Sequence, residues 1–217
     1  MTDPPERRFA DALVRAREEW AAADAAACAA RAACRHAEGD VLVPVLGAPH
    51  LVSHPGGEVR AAPGGPAAEG GEPPRPVHVA VAILLLHYLL RADGTPPAGT
   101  WSAYRDLPDG LFYAASFASR AEEPLTRTFA RAAAGLERFR AAARAAGGDA
   151  LELGDAAFRF VALPRVEVAA LVWAGDDEEP GEARVLFDAH AGHYLPAEDL
   201  AGLGGQLAHR LLAAARG

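Results

Sequence analysis

Lysine is absent from the 217-residue chain, so all 21 of its basic residues are arginines. Asparagine is absent as well, and glutamine occurs once, at Gln206. Without lysine the chain has no side-chain amine that forms a Schiff base with pyridoxal phosphate or a sugar. It also cannot complete a phosphate-binding P-loop or supply the lysine of a protein-kinase site. These classes of enzyme are therefore excluded.

Cysteine is scarce, because Cys28 and Cys34 are the only two thiols. They lie in an alanine-rich stretch whose composition predicts a helix, and a spacing of six puts them on different faces of it. We therefore expect two packed thiols in a reducing compartment rather than a disulfide. Two thiols without a CxxC motif are also too few for a four-cysteine iron–sulfur cluster, so we expect no such cluster on this chain.

Positive charge and long apolar runs are also limited. The 29 acidic residues outnumber the arginines and give a net charge of −8, which argues against binding nucleic acid or anionic lipid. The longest apolar run, residues 77–90, is shorter than the roughly 20 residues that span a bilayer. The polar residues 1–8 are not followed by the apolar core of a signal peptide. We expect a soluble, cytoplasmic protein without a nucleic-acid or membrane partner.

Apolar residues at helical spacing predict most of the helices. Two helices are expected within residues 1–38, and a longer helix is expected to begin at Pro124 and to stop at Gly147. Residues 77–91 are apolar on every side, which is typical of a central, buried helix. A last helix is expected to begin at Pro196.

Strands are expected in two other regions. Residues 41–54 predict a β-hairpin, and residues 150–187 contain several β-rich runs separated by turns. Residues 61–76, which are rich in proline, glycine, alanine and glutamate, predict a flexible surface loop. Because no βαβ order repeats, we expect an α+β fold in which helices pack on an antiparallel sheet around a central buried helix. The length favours a single domain over residues 1–217.

Several short motifs occur in a fixed order along the chain: Ile83-Leu-Leu-Leu-His-Tyr-Leu-Leu90, Gly99-Thr-Trp101, Tyr104-Arg-Asp-Leu107, Gly110-Leu-Phe-Tyr113, Leu153-Gly-Asp-Ala-Ala-Phe-Arg-Phe160, Phe187-Asp188 and His193-Tyr-Leu-Pro196. In their number and order they resemble the signature of a bacterial and archaeal family, domain of unknown function 3786. The resemblance covers the chain from about Val41 onward, with a family core over residues 77–217.

The resemblance implies a link to redox or one-carbon metabolism. Some members carry an added iron–sulfur domain similar to the one at the start of corrinoid iron–sulfur proteins. The present chain departs from those members because it has no cysteine-rich segment. If the association extends to this chain, the cluster sits on a separate iron–sulfur protein, which is then a possible partner.

Two His-Tyr pairs are the leading candidates for a binding site: His87-Tyr88 in the buried helix and His193-Tyr194 before the last helix. A neutral imidazole ligates a metal ion or the metal of a tetrapyrrole, so His87 and His193 are candidate metal ligands. The alternative is that either histidine is a packing residue with internal hydrogen bonds. Arg105 is a candidate for binding a carboxylate or phosphate, or else it pairs with a nearby acid such as Asp106, Glu122 or Glu123.

Asp188, His190 and His193 form a further cluster. A zinc site built on the two histidines is disfavoured because no third and fourth ligands are spaced nearby.

Three hypotheses follow. The first is a cofactor-binding protein that holds a metal, or a tetrapyrrole such as a corrinoid or haem, in a pocket lined by Tyr88, Arg105, Asp188 and Tyr194. The second is a non-catalytic adaptor for an iron–sulfur protein. The third is a small-molecule enzyme that uses Asp188 and His193 as an acid–base pair.

Overall fold

A computed structural model describes residues 5–62, 77–176 and 178–216. The chain forms two compact units, the first made of Met1–Pro96, Leu163–Arg165 and His193–Leu195, and the second of Pro97–Ala162, Val166–Gly192 and Pro196–Gly217. The flexible loop expected at residues 61–76 lies outside the described residues except for its first two positions.

Among its described residues, the first unit contains three helices: α1 (Pro5–Ala22), α2 (Ala25–Arg31) and α3 (Val79–Arg91). Asp24 caps α2 by accepting a hydrogen bond from the Ala27 amide at 3.0 Å. Two helices were expected within residues 1–38, but the second ends at Arg31, and Arg35–Ala37 form a strand. The helix stops because Ala33 adopts a positive φ of 53°, which lets the Cys34 amide bond back to the Ala29 carbonyl at 2.8 Å.

Helix α3 confirms the prediction of a buried helix. His78 caps its first turn by accepting a hydrogen bond from the Ala80 amide at 3.2 Å. Both α1 and α2 pack against it. Helix α3 is apolar on every side, whereas a surface helix has a single apolar stripe. A large share of its side chains is buried, namely Ala82, Ile83, Leu84, Leu85, Leu86, Tyr88 and Leu89.

The predicted hairpin is confirmed and belongs to a four-stranded antiparallel sheet. Its strands follow chain order: β1 (Arg35–Ala37), β2 (Asp40–Val45), β3 (Ala48–Ser53) and β4 (Val59–Ala61). Every second residue of β2 is buried, as expected for a strand with one face on a core. Trp20 of α1, fully buried, donates from Nε1 to the Ser53 carbonyl at 2.8 Å and so joins the first helix to the sheet.

The helices of the second unit are α4 (Gly110–Phe117), α5 (Glu123–Phe129), α6 (Ala132–Ala145) and α7 (Ala197–Ala214). A π-helical turn, Ala118–Glu122, joins α4 to α5. The single long helix expected after Pro124 is wrong, because Arg131 is extended and forms a β-bridge with Gly175. The Ala130 carbonyl accepts a hydrogen bond from the Gly175 amide at 3.0 Å, and the helix is interrupted at this long-range bond.

The second unit has a five-stranded sheet formed by β5 (Trp101–Ala103), β6 (Asp149–Leu151), β7 (Ala156–Leu163), β8 (Val166–Trp173) and β9 (Glu182–Asp188). Its strand order is β5-β9-β8-β7-β6. Strand β9 pairs antiparallel with β8 along its length and with β5 only at Leu186–Asp188. Two 3₁₀ turns, Tyr104–Asp106 and Ala191–His193, complete the elements.

These elements confirm the α+β class, although the strands form two sheets rather than one. In the part of the chain that the structure describes, no helix is both long enough and apolar enough to cross a membrane.

Candidate functional site

The first unit holds His193 in a hydrogen bond with Asp93. The chain leaves α3 through Ala92 and turns at Gly94, whose φ is 91°. Asp93 accepts the Thr95 amide on Oδ1 at 2.8 Å, and its Oδ2 lies 2.7 Å from His193 Nδ1. The Thr95 amide, followed by the His193 ring, lowers the pKa of the Asp93 carboxyl well below its ordinary value. An ionised carboxylate only accepts, so His193 donates this hydrogen bond from Nδ1.

Both partners of this pair are reachable from solvent. The side chains of His193 and Asp93 are each 46% exposed. Because both side chains are in contact with water, the contact between them contributes little to folding stability. Its main effect is therefore to orient the imidazole.

Tyr88 and Tyr194 are buried in the same unit. Their ring centroids are 5.6 Å apart. The Tyr88 hydroxyl donates to the Ala32 carbonyl at 2.7 Å and accepts the Arg165 amide at 3.0 Å, whereas the Tyr194 hydroxyl donates to the Thr95 carbonyl. Burial raises the pKa of both phenols, so they stay protonated at neutral pH. Tyr194 thus joins the residue after His193 to the turn that follows Asp93, and Tyr88 joins α3 to residues 32 and 165.

His87 is half-buried on α3 within the same unit. Among the described residues, no three histidine, cysteine, aspartate or glutamate side chains are grouped so as to hold a metal ion. The use of His87 and His193 as metal ligands stays a prediction.

Asp188 lies in the second unit and is 1% exposed. Its Oδ1 accepts the Ala98 and His190 amides, each at 2.9 Å, and its Oδ2 accepts the Gly99 amide at 2.8 Å. These three hydrogen bonds give the Asp188 carboxylate a structural role at the end of β9. The acid–base pairing of Asp188 with His193 stays a prediction, whereas the observed carboxylate on His193 Nδ1 is that of Asp93.

Arg105 is exposed on the 3₁₀ turn of the second unit. Its Nε lies 3.8 Å from Asp106 Oδ1, and the two side chains are 70% and 63% exposed. The pairing with Asp106 is one of the alternatives that the sequence left open. A ligand role for Arg105 stays a prediction, and Glu122, another acid considered for it, pairs with Arg184.

Other histidines and the cysteines have identifiable local roles. His50 Nδ1 lies 2.8 Å from the Ala48 carbonyl, and His54 Nε2 lies 3.1 Å from the Ala23 carbonyl. Burial lowers the pKa of His50. Neither cysteine forms a disulfide, and burial raises the pKa of Cys34 to about 12, which makes it a poor nucleophile.

Sequence reasoning missed Asp93 as the partner of His193. A signal was present, because an aspartate directly before a glycine at the end of a helix is typical of a turn in which the side chain accepts a backbone amide. Nothing in the local sequence connected that turn to a histidine far along the chain.

Fold and site together define an α+β protein with a four-stranded and a five-stranded antiparallel sheet and a buried helix that ends at an Asp–His pair. The sequence profile of the family described as domain of unknown function (DUF3786) matches residues 24–210. The chain therefore belongs to this family, as the motifs indicated. No curated protein and no solved structure matches the chain.

Proposed function

We propose that this chain binds a cofactor through His193, and that the cofactor is a tetrapyrrole such as a corrinoid or haem used in redox or one-carbon metabolism in the cytoplasm. The observation that carries the proposal is the hydrogen bond between His193 Nδ1 and Asp93 Oδ2 at 2.7 Å. A carboxylate on one imidazole nitrogen fixes the tautomer and raises the basicity of the other nitrogen, an arrangement common behind metal-ligating histidines.

The chemistry of the donor set favours a tetrapyrrole over a bare metal ion. A macrocycle supplies the equatorial donors, so one imidazole suffices as the protein ligand. The 46% exposure of the His193 side chain gives a large planar ligand access to the ring. Bound there, the cofactor would supply one-electron or group-transfer chemistry, while Asp93 orients the imidazole and Tyr194, the residue after His193, bonds the Thr95 carbonyl.

The test is a titration of the purified chain with haem and, separately, with aquocobalamin, followed by absorption. His193→Ala is expected to abolish the spectral change of coordination. Asp93→Asn is expected to weaken binding about 10–100-fold, the usual effect of removing the group that orients a ligating histidine. His36→Ala, which removes an exposed histidine of the same unit, serves as the matched control. Wild-type binding by the His193→Ala protein would refute the proposal.

A His87→Ala variant separates one-histidine from two-histidine coordination. If His87 is a second ligand, the variant retains binding but the spectrum changes from six-coordinate to five-coordinate. If His87 only packs on α3, the spectrum of the complex remains that of the wild type.

The adaptor function is a second candidate, and it is favoured by an apolar surface on α4. Leu111, Phe112 and Tyr113 are 73%, 85% and 47% exposed, which is unusual for three consecutive large apolar residues. Aromatic residues that protrude in this way are typical anchors at protein interfaces. The partner under this proposal is an iron–sulfur protein.

The adaptor proposal predicts that Phe112→Ser abolishes co-purification of an iron–sulfur protein from the host while leaving the free energy of unfolding unchanged. Val161→Ser, at an exposed apolar position (51%) on β7, is the control for a general loss of surface hydrophobicity. Equal recovery of the partner with wild type and Phe112→Ser would contradict it.

A further inference from the structure

A second candidate site lies in the second unit, among residues that the sequence did not assign to a binding site. A cleft of about 440 Å³ opens between a helical wall and the start of β9. The helical wall presents Glu122, Glu123 and Thr126, and the opposite wall is formed by residues 180–184. The helical wall includes the end of the π-helical turn, a rare geometry that is frequent at functional sites.

Part of this arrangement is structural. Strand β5 pairs with β9 only from Leu186 onward, which leaves the earlier amides of β9 without a strand partner on that side. Two side chains one helical turn apart accept hydrogen bonds from those amides. Glu122 Oε1 accepts the Val185 amide at 3.1 Å, and Thr126 Oγ1 accepts the Ala183 amide at 2.9 Å.

The second oxygen of Glu122 accepts a longer hydrogen bond. The residue is 9% exposed, and Arg184 Nη1 donates to its Oε2 at 3.4 Å. The shorter contact of Arg184 is with the half-exposed Glu182, at 2.5 Å, so one guanidinium is shared between two carboxylates. Removing a carboxylate from water is costly, and burial raises the pKa of Glu122.

The charge of the lining is therefore negative. Glu122, Glu123 and Glu182 contribute three carboxylates, against the one guanidinium of Arg184. Arg127, which pairs with Glu123 at 3.3 Å, is not among the residues that line the cleft. The remaining wall atoms include the apolar surfaces of Ala118, Pro180 and Ala183.

We propose that this cleft binds a small organic cation of the alkylammonium class, with the Glu122 carboxylate as its counter-ion and the alkyl part against Ala118, Pro180 and Ala183. The ammonium group donates a charge-assisted hydrogen bond to the carboxylate and balances its charge, whereas a neutral hydroxyl is a weaker donor and an anion is repelled. The site is independent of the cofactor proposed at His193.

The test uses three probes of equal length that differ in charge: n-butylamine, n-butanol and n-butyrate. Each is titrated into the full chain while the amide resonances are followed by two-dimensional NMR. The amine is expected to shift the amide signals of Ala183 and Val185, which bond to the cleft side chains. Equal or stronger shifts with butyrate or butanol, or no saturable shift with the amine, would overturn the proposal.

Two substitutions with opposite expected effects complete the test. Glu122→Gln keeps an oxygen for the Val185 amide but removes the charge, so amine affinity is expected to fall about tenfold or more, while the exposed Glu137→Gln control leaves it unchanged. Arg184→Gln removes the competing guanidinium, so amine affinity is expected to rise severalfold. If Glu122→Gln does not fold, the Arg184→Gln result decides, and weaker amine binding in that variant refutes the assignment.

Discussion

Replacing Asp188 by asparagine tests whether this carboxylate is a structural acceptor. The carboxylate receives three backbone amides, two on Oδ1 and one on Oδ2, and is 1% exposed. In the asparagine variant the amide oxygen retains at most one of these two acceptor positions. The side-chain NH₂ then points at a backbone N–H, so two hydrogen-bond donors face each other without an acceptor.

The size of the effect follows from these bonds. A hydrogen bond to a charged acceptor contributes about 1.5–3 kcal/mol, and the retained bonds lose their charge assistance. We therefore expect the free energy of unfolding to fall by about 2–4 kcal/mol, a large part of the roughly 5–15 kcal/mol of a typical domain. With a urea m-value near 2 kcal/mol/M, the midpoint should fall by about 1–2 M.

The assay is urea unfolding followed by circular dichroism. Asp106→Asn is the matched control, because Asp106 is 63% exposed and lies 3.8 Å from Arg105, so its loss should change stability by about 0.5 kcal/mol or less. A stability of Asp188→Asn equal to that of wild type would refute the structural role. If that variant also lost the turnover of an identified substrate, the acid–base hypothesis for Asp188 would gain support instead.

Two further substitutions test the buried polar groups. Tyr88→Phe removes the hydroxyl that bonds Ala32 and Arg165, so it should cost about 1–3 kcal/mol in urea unfolding, whereas the half-exposed Tyr113→Phe should cost almost nothing. Because burial raises the pKa of Glu122 in the folded state, the unfolded chain ionises this carboxyl first, and wild-type stability falls as pH rises from about 4 towards the folded pKa. The stability of Glu122→Gln relative to wild type should therefore improve over that interval, and parallel pH profiles would contradict this cause.

The sequence predicted the elements whose signals are local. Residues 77–91 are apolar on every side, and this pattern alone identified α3 as buried. The hairpin of β2 and β3 followed from two β-rich runs and from a glycine in the turn between them. In each case the interactions that decide the structure lie within a few residues of one another.

The errors arose where distant parts of the chain decide local structure. Helix α2 ends at an alanine with positive φ rather than at a glycine, so composition gave no stop signal. The break after α5 depends on a bridge between Arg131 and Gly175, which lies beyond β8. The hydrophobic periodicity of one segment does not predict a bridge to a distant residue.

Some residues of the candidate site were named from the sequence, but the carboxylate that bonds to His193 was not. His193, Tyr194 and Tyr88 were identified as residues of interest, and the structure places all three in the first unit. The carboxylate partner was expected close by in sequence, at Asp188, because spacing is the information that a sequence provides. The observed partner, Asp93, is a hundred residues away and is brought there by the fold.

The most direct test of cofactor binding at His193 is the absorption spectrum of the protein purified anaerobically from its own host, with metal analysis of the same sample. A Soret band or a corrinoid spectrum with matching iron or cobalt, lost in His193→Ala, is the predicted result. A colourless, metal-free protein whose spectrum does not respond to added haem or cobalamin would contradict it.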